Sequence, residues 1–233
     1  MTFNKQVKSI ILLSGGLDSV VSLGFLKEKL NVTMALTFDY GQKAVEKEIE
    51  AAKRVSEYYS IEHKVIKLPW LKEITKTSLV NRAENLPGLK TSELDNEEKT
   101  SDSAQRVWVP NRNGLMLNVA GCFADSEGFG YIIFGANKEE AATFPDNSKE
   151  FVDKINASFE YSTLVKPKVV APLVDFTKEE IIKTALDKEL PLNLVRSCYI
   201  ADDIHCGKCE SCLRLKRALQ QFPESSSIIR FKE

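Results

Sequence analysis

Short apolar runs alternate along the chain with longer stretches in which apolar side chains recur every three or four positions. The runs at residues 7–14, 32–38 and 63–68 have the length of strands, and the first two are almost wholly apolar, as strands buried on both faces are. Residues 20–26 and 43–59 separate these runs and have helical spacing. The first 70 residues therefore predict the order β-α-β-α-β and a parallel sheet.

The same alternation continues in the second half of the chain. A helix is predicted over 114–124, with Leu115, Val119, Cys122 and Phe123 facing inwards, and a second helix over 148–161. Strands are predicted at 131–134 and 169–173. Thr177 and Glu180 match a capping box, which predicts a further helix ending before Pro191. We expect an α/β fold: a Rossmann-like parallel sheet of five strands flanked by helices.

Residues 69–105 break this pattern. They are rich in Ser, Thr, Asn, Glu and Lys and contain Pro87-Gly88. The segment predicts an irregular insertion, either a mobile lid or a plain surface loop. We therefore expect residues 1–190 to form the α/β domain, with 69–105 as a variable insertion, and residues 191–233 to form a small C-terminal subdomain.

Charge and length exclude several classes of protein. The 233 residues carry 32 Lys+Arg and 33 Asp+Glu, a formal net charge of -1, which argues against a protein that grips nucleic acid through a broad basic face. No apolar run reaches the roughly 20 residues that span a bilayer. The start of the chain lacks the pattern of a signal peptide. We expect a cytoplasmic protein that binds neither nucleic acid nor membrane.

The string Ser14-Gly15-Gly16-Leu17-Asp18-Ser19 lies between the first strand and the first helix. Adjacent glycines let backbone N–H groups approach a ligand, and the following helix points its positive end at the same place. The spacing matches neither a Walker A loop nor a dinucleotide-binding loop. Asp18 would repel a bare phosphate, so its presence predicts Mg²⁺ between the carboxylate and a nucleotide's phosphates. The alternative is a tight β-α turn capped by serines.

Four of the five cysteines crowd together near the C-terminus: Cys198, Cys206, Cys209 and Cys212. Two overlapping C-x-x-C turns with a fourth thiol nearby predict a metal site, and both structural Zn²⁺ and an iron–sulfur cluster take four such ligands. Buried free thiols are the remaining alternative. His205 lies beside the cluster and could replace one ligand. Cys122, on the apolar side of a predicted helix, is expected in the core.

Further candidate residues follow strands or open helices. Asp39 ends a buried strand, where open α/β sheets bind ligands, although an Asx turn would also explain it. Arg112 and Asn113 follow Pro110 at a helix entrance, and Arg112 could make a forked contact with carboxylate or phosphate or an ordinary salt bridge. Lys178 opens the capped helix, where a solvated lysine is equally ordinary. Asp146 follows Pro145, so a turn role is natural.

These motifs together resemble a known family. Residues 14–19 resemble the PP-loop of the ATP pyrophosphatases, enzymes that split ATP to AMP and pyrophosphate while adenylating an oxygen atom of the substrate. The ordered set is similar to the 7-cyano-7-deazaguanine synthases, which make a queuosine and archaeosine precursor. Its other members are Phe38-Asp39-Tyr40-Gly41-Gln42, Val109-Pro110-Asn111-Arg112-Asn113, Phe144-Pro145-Asp146, Ser197-Cys198-Tyr199 and Cys206-Gly207-Lys208-Cys209-Glu210-Ser211-Cys212.

The resemblance implies specific roles and partners. It implies the adenine nucleotide alpha hydrolase-like fold, structural zinc on the four cysteines, ATP with Mg²⁺, and a homodimer. It assigns Asp18 and Lys178 to catalysis, with Lys178 on the triphosphate. The implied ATP-binding residues are Leu13, Ser14, Gly15, Gly16, Leu17, Asp18, Ser19 and Asp39. The implied substrate-binding residues are Tyr40, Gln42, Arg112, Asn113 and Asp146.

The expected reaction converts 7-carboxy-7-deazaguanine and ammonia to the 7-cyano product. Many family members carry Tyr-Pro-Asp-Cys-Arg where this chain has Phe144-Pro145-Asp146-Asn147-Ser148, and the segment Asn137–Thr143 resembles an archaeal-type variant. These departures bear on the substrate more than on the ATP chemistry. No glutaminase signature is found, so we expect free ammonium as the nitrogen source. The alternatives are a tRNA-modifying PP-loop enzyme and a non-catalytic relative that binds zinc and nucleotide.

Overall fold

A computed structural model describes residues 3–225 and 227–232 of the chain. Five strands form one sheet, and every pair of neighbours is parallel. In chain order they are β1 Lys8–Leu12, β2 Asn31–Asp39, β3 Glu62–Lys67, β4 Tyr131–Ile133 and β5 Lys168–Val170. Across the sheet the order is β3-β2-β1-β4-β5. The predicted five-stranded parallel sheet is confirmed, although β5 ends before Ala171 and Pro172 and is shorter than predicted.

Helices cover both faces of the sheet. They are α1 Leu17–Lys27, α2 Val45–Tyr58, α3 Pro69–Ile74, α4 Glu97–Val107, α5 Arg112–Glu127, α6 Lys138–Ala141, α7 Lys149–Ser162, α8 Lys178–Asp187 and α9 Glu210–Leu219. One core cluster unites apolar residues of α1, α2, α8 and α9 with β1, and a second unites those of α5 and α7 with β1, β2 and β4. The arrangement is the expected α/β layer structure.

The helix α5 buries a different face from the one predicted. Its buried positions include the small residues Ala120, Gly121 and Ala124, whereas Cys122 is exposed. A Cβ added at Gly121 would lie 2.9 Å from Phe159 Cζ of α7. The small side chains therefore face the neighbouring elements because they permit a close approach. The expectation that Cys122 lies in the core was wrong.

Residues 69–105 are more ordered than their composition indicates. They contain α3, a short 3₁₀ turn at Thr91–Glu93 and most of α4. The inward face of α4 consists of Thr100, Ser103, Ala104 and Val107, all buried. These positions have helical spacing, but three of the four side chains are small or polar, so a pattern based on large apolar residues does not reveal them. The segment is therefore helical at its two ends, where an irregular structure was predicted, and its role as a variable insertion stays a prediction.

The C-terminal segment packs on the α/β layers through α9. Leu215, Ala218 and Leu219 of this helix are buried in the same cluster as Ile181 and Ala185 of α8. The predicted capping box of α8 is present, with Thr177 and Glu180 exchanging hydrogen bonds of 3.2 and 2.8 Å. This cap fixes the start of α8, and Lys178 is its first residue. Met1 and Thr2, at the start of the region searched for a signal peptide, lie outside the described residues.

Candidate active site and metal centre

The sheet changes its direction of growth at β1, since β2 and β3 lie on one side of this strand and β4 and β5 on the other. Open parallel sheets bind ligands at such a point, outside the carboxyl ends of the strands. A cavity of about 220 Å³ lies there. Its walls come from the segments after β1, β2 and β4, from the starts of α5 and α8, and from residues 196–199.

The loop after β1 forms one wall of this cavity. The Gly16 N–H donates to Ser14 Oγ over 3.2 Å, and Ser19 Oγ donates to the Gly16 carbonyl over 3.0 Å. Gly15 has a φ of +78°, and a Cβ added there would lie 2.7 Å from Ala51 Cβ of α2. Gly15 thus faces α2, so the loop requires glycine at this position for its backbone conformation and its packing.

The end of β4 approaches the start of α1 very closely. A Cβ added at Gly135 would lie 2.8 Å from the Ser19 backbone nitrogen and 2.9 Å from its Cα. Any larger residue would push the strand and the loop apart. The glycine after β4 therefore lets the segment that follows β4 reach the loop that follows β1.

Lys178 joins two carboxylates at the edge of the cavity. Its Nζ donates to Asp18 Oδ2 over 2.6 Å and to Glu140 Oε1 over 2.9 Å, and its side chain is only 10% exposed. Among the described residues, Asp18 Oδ1 is buried without a hydrogen-bond partner. A buried carboxylate oxygen of this kind is an available ligand for a hard cation such as Mg²⁺. The donor set therefore fits the cation that would accompany a nucleotide.

The protonation states of this group follow from burial and from the pairing. Burial raises the pKa of Asp18 from its usual 3.8 to about 6, although the Lys178 ammonium opposes the rise. Burial would lower the pKa of Lys178, but the two carboxylates raise it above its usual value. Burial would raise the pKa of Glu140, yet Lys178 brings it below its usual value. Lys178 is therefore charged at neutral pH, and Asp18 is mostly ionised.

A buried ionic network links this group to α9. Glu139 Oε1 accepts from the Lys178 N–H over 2.8 Å, and Glu139 Oε2 accepts from Arg214 Nη1 over 3.2 Å. Arg214 also donates to Glu210 Oε1 through Nε and Nη2, over 3.1 and 2.9 Å. The Ser103 hydroxyl of α4 donates to the other oxygen of Glu210 over 2.6 Å. The start of α8 is thus fixed against α9 and against the segment 69–105.

Arg112 lies at the entrance of α5, as predicted. Its Nη1 donates to the Tyr40 hydroxyl over 3.2 Å, and its guanidinium lies 5.8 Å from the centre of the Tyr40 ring. Asn113 Nδ2 donates to the Asp146 carbonyl over 3.3 Å. Burial raises the pKa of the Asp146 carboxyl, and Arg112 opposes the rise. Tyr40, Arg112, Asn113 and Asp146 all line the cavity.

Two predicted ligand-binding residues have local roles in the structure. Gln42 lines the cavity, but its amide is already engaged with the protein: it accepts from the Tyr40 N–H and donates to the Phe38 carbonyl and to Glu48 Oε2. Asp39 Oδ1 accepts from the Gly41 N–H over 3.1 Å, which is the Asx turn considered above. Asp39 and Gly15 are not among the residues that line the cavity. Their role in binding ATP stays a prediction.

Several residues that line the cavity were given no role in the sequence analysis. Glu140 accepts the second hydrogen bond of the Lys178 ammonium. It lies in the variant segment Asn137–Thr143, for which the sequence predicted no role of any single residue. Trp108 and Phe144 line the cavity with rings that are nearly parallel, 7° apart, and with ring centres separated by 6.2 Å. A single aromatic residue in a sequence carries no signal of this kind, because the stacking joins residues from different parts of the chain.

The four clustered cysteines come together as predicted. Their sulfur atoms all lie within 4.8 Å of one another, and all four residues are buried. Cys206 Sγ and Cys212 Sγ are 3.8 Å apart, which is the edge of a tetrahedron of about 2.3 Å radius, the Zn–S bond length. Backbone N–H groups donate to sulfurs at 3.3–3.4 Å, which stabilises thiolates. The donor set therefore fits a four-coordinate metal ion.

The segment before the cluster touches the loop after β1. The Arg196 N–H donates to the Gly15 carbonyl over 2.7 Å, and the Leu17 N–H donates to Ser197 Oγ over 3.2 Å. His205 Nε2 accepts from the Ser197 N–H over 3.1 Å, so this ring nitrogen orients Ser197 instead of joining the sulfurs. The cysteine cluster and the loop are thereby one connected structure.

The fold and the cavity define the class of this protein. A parallel α/β sheet in which residues 14–19 run from the end of β1 into the first turn of α1 is the arrangement expected from the resemblance to the PP-loop enzymes, and a C-terminal cluster of four cysteines is added to it. A family model described as "Queuosine biosynthesis protein QueC" matches residues 8–223. The chain belongs to this family, and the resemblance found in the sequence motifs is confirmed.

Individual relatives agree with the family. The 7-cyano-7-deazaguanine synthase of Methanosarcina mazei is 51% identical over 217 residues, which cover 92% of this chain and 94% of the relative. The protein of the same name from Carboxydothermus hydrogenoformans is 50% identical over 212 residues, which cover 91% of this chain and 97% of the relative. The solved NH3-dependent NAD synthetase of Campylobacter jejuni aligns over 99% of this chain and 92% of its own length, with 16% identity and a TM-score of 0.45.

Within the described part of the chain, no helix combines the length and the apolar composition that crossing a membrane requires.

Proposed function

We propose that this protein catalyses the ATP-dependent conversion of 7-carboxy-7-deazaguanine and ammonia to 7-cyano-7-deazaguanine. The observation that carries the proposal is one cavity with two kinds of wall. The loop after β1 with Asp18 and Lys178 suits a nucleotide's phosphates, and aromatic and amide side chains suit a planar heterocycle. The relatives that are 50–51% identical and are named 7-cyano-7-deazaguanine synthase support the same assignment.

The chemistry requires two activations. A carboxylate oxygen of the substrate attacks the α-phosphorus of ATP and pyrophosphate leaves. Ammonia then attacks the adenylated carbonyl carbon, AMP leaves, and an amide forms. The amide oxygen attacks the α-phosphorus of a second ATP with loss of pyrophosphate, and departure of AMP with loss of the nitrogen-bound protons gives the nitrile. No covalent bond to the protein is needed, so the protein contributes orientation and stabilisation of charge.

The residues around the loop are suited to the phosphates. Backbone N–H groups of residues 14–19 and the start of α1 would donate to phosphate oxygens. The Lys178 ammonium lies at the cavity edge, where it would offset charge on the leaving pyrophosphate. The free oxygen of Asp18 would hold Mg²⁺ with the triphosphate. We propose Leu13, Gly15 and Asp39 as further members of the ATP site, Gly15 and Asp39 through the shape of their turns.

The second wall is proposed to bind the deazapurine. Arg112, charged and held by Tyr40, would orient a polar group of the substrate. Asn113 fixes the backbone beside Asp146, and Gln42 holds the turn that carries Tyr40. In this proposal each predicted substrate residue has a direct or a supporting role.

We propose that the cysteine cluster holds one structural zinc ion. Four buried thiolates leave no position open for substrate, so the ion would stabilise the fold and take no part in the reaction. Cys198 follows the two residues that touch the loop, so the metal would also hold residues 196–197 in place. An iron–sulfur cluster on the same ligands is the alternative, and elemental analysis distinguishes the two.

We further propose a homodimer located in the cytoplasm, where ATP is available and thiolates stay reduced. The proposed units are an ATP-binding domain over 1–190, with 69–105 as its variable part, and a zinc-binding subdomain over 191–233. Free ammonium is the proposed nitrogen donor, and no nucleic acid takes part.

The test combines purified protein with ATP, Mg²⁺, an ammonium salt and 7-carboxy-7-deazaguanine. Pyrophosphate release and a nitrile product seen by mass spectrometry are expected. Glutamine in place of ammonium should give no product. Release that requires tRNA instead of the deazapurine would indicate a tRNA-modifying enzyme, and no release with either would indicate a non-catalytic relative.

A further inference from the structure

Two aromatic residues line the wall of the cavity that is not formed by the loop after β1. Trp108 precedes α5, Phe144 follows α6, and their ring planes differ by 7° with centres 6.2 Å apart. Both residues line the cavity and neither is fully buried. Parallel aromatic rings that keep an accessible surface are suited to bind a flat, electron-rich ring system by stacking.

A carboxylate lies two residues beyond Phe144. The turn Pro145–Asn147 carries Asp146, one of whose oxygens accepts from Asn147 Nδ2 over 3.3 Å. The start of α5 also acts on this carboxylate, since Arg112 and the backbone of Asn113 both oppose the rise of its pKa. The Asp146 carbonyl is fixed by Asn113 over 3.3 Å. An ionised carboxylate has about four acceptor sites, so a partly buried carboxylate that lines the cavity can still accept from ligand N–H groups.

From this juxtaposition we infer that Trp108 and Phe144 stack on the base of the substrate and that Asp146 reads its guanine edge. The inference rests on the proposed function and names the residues that select the base. A guanine-type ring presents two neighbouring donors, N1–H and the 2-amino group, which match a carboxylate. An adenine ring presents an acceptor beside its amino group on the corresponding edge, so it matches a carboxylate less well.

Fluorescence tests the stacking directly, because the chain has two tryptophans. The other one, Trp70, is 47% exposed on α3 and does not line the cavity. Titration with the product, 7-cyano-7-deazaguanine, should quench tryptophan emission in the unchanged protein and in Trp70→Phe. The quenching should be lost in Trp108→Phe. Quenching that survives in Trp108→Phe and disappears in Trp70→Phe would overturn the inference.

Steady-state kinetics provide a second, independent readout. Trp108→Leu should raise KM for 7-carboxy-7-deazaguanine by about tenfold or more, the usual effect of removing one base-stacking ring, while KM for ATP changes by less than about twofold. If KM for ATP rises instead, or if ATP alone quenches Trp108, the aromatic pair binds adenine and the inference is wrong.

The role of Asp146 is tested by discrimination between bases. The unchanged protein should favour 7-carboxy-7-deazaguanine over the analogue that lacks the 2-amino group, and Asp146→Asn should lose about tenfold of this preference. Unchanged discrimination would refute the edge contact. Failure of the proposed function looks different: the unchanged protein would then release no pyrophosphate and show no quenching by the product.

Discussion

At the scale of single residues, the charge of Lys178 is set by the groups around it. Its ammonium is buried between Asp18 and Glu140, and these two carboxylates keep it charged at a point that borders the loop after β1. Burial without such partners would lower the pKa of a lysine. The pairing therefore maintains a positive charge where pyrophosphate is proposed to leave.

We predict that Lys178→Met lowers kcat/KM for ATP by about 10²- to 10³-fold, since a positioned donor to developing charge contributes on this scale. Pyrophosphate release measures the effect. Lys183→Met is the matched control, because Lys183 lies on the same helix, is 63% exposed and pairs with Asp187; its activity should stay within about twofold. A Lys178→Met enzyme that remains folded and keeps activity within tenfold would contradict the proposed role.

Some residues of the site were predictable from the sequence and others were not. Ser14 to Ser19 form a contiguous string, and a contiguous string after a strand keeps its meaning in any fold that contains it. Glu140 and Trp108 have no such context, because their partners are about 40 residues away in each case. For Cys122 the sequence predicted burial that the structure does not show. Helical spacing alone did not reveal that glycine and alanine occupy the inward face of α5.

At the scale of elements, α9 is fixed to the rest of the molecule by the network around Arg214. The guanidinium is buried and contacts both Glu210 on its own helix and Glu139 of α6. Glu210 is 6% exposed. Removal of the arginine would leave two carboxylates in a poorly solvated place, which costs more than the pair itself contributes.

We predict that Arg214→Met lowers the free energy of unfolding by about 3 kcal/mol, the usual cost of breaking a buried ion pair. Urea denaturation measures it. Arg217→Met is the control on the same helix: its side chain is 25% exposed and it bridges Asp95 and Glu139, so its loss should cost less than about 1 kcal/mol. Equal losses for both variants would show that burial does not distinguish the two arginines.

At the scale of the whole molecule, hydrogen bonds connect the cysteine cluster to the loop that lines the cavity. Residues 196–197 donate to and accept from the loop after β1, and Cys198 follows directly. A metal bound by the four thiolates would close this C-terminal segment onto the α/β layers, in the manner of structural zinc sites.

If the cluster holds a metal as proposed, we predict that Cys209→Ser purifies without it, has a lower melting temperature and binds ATP more weakly, because residues 196–197 would no longer be held against the loop. Elemental analysis, calorimetry and nucleotide titration measure the three effects. Cys122→Ala should keep metal and activity, since Cys122 is exposed on α5. Retention of metal by Cys209→Ser would contradict the four-ligand site.

The sequence by itself determined the five strands, the main helices that pack on them apart from α3 and α4, the loop after β1, the cap of α8 and the membership of the cysteine cluster. Each of these depends on neighbours in the chain, so hydrophobic periodicity and local spacing are sufficient to reveal it. The tertiary structure decided which residues meet across the sheet. Glu140 at Lys178, Phe144 on Trp108, and Ser197 at the loop are contacts between distant segments, and only the packing of helices on the sheet brings such segments together.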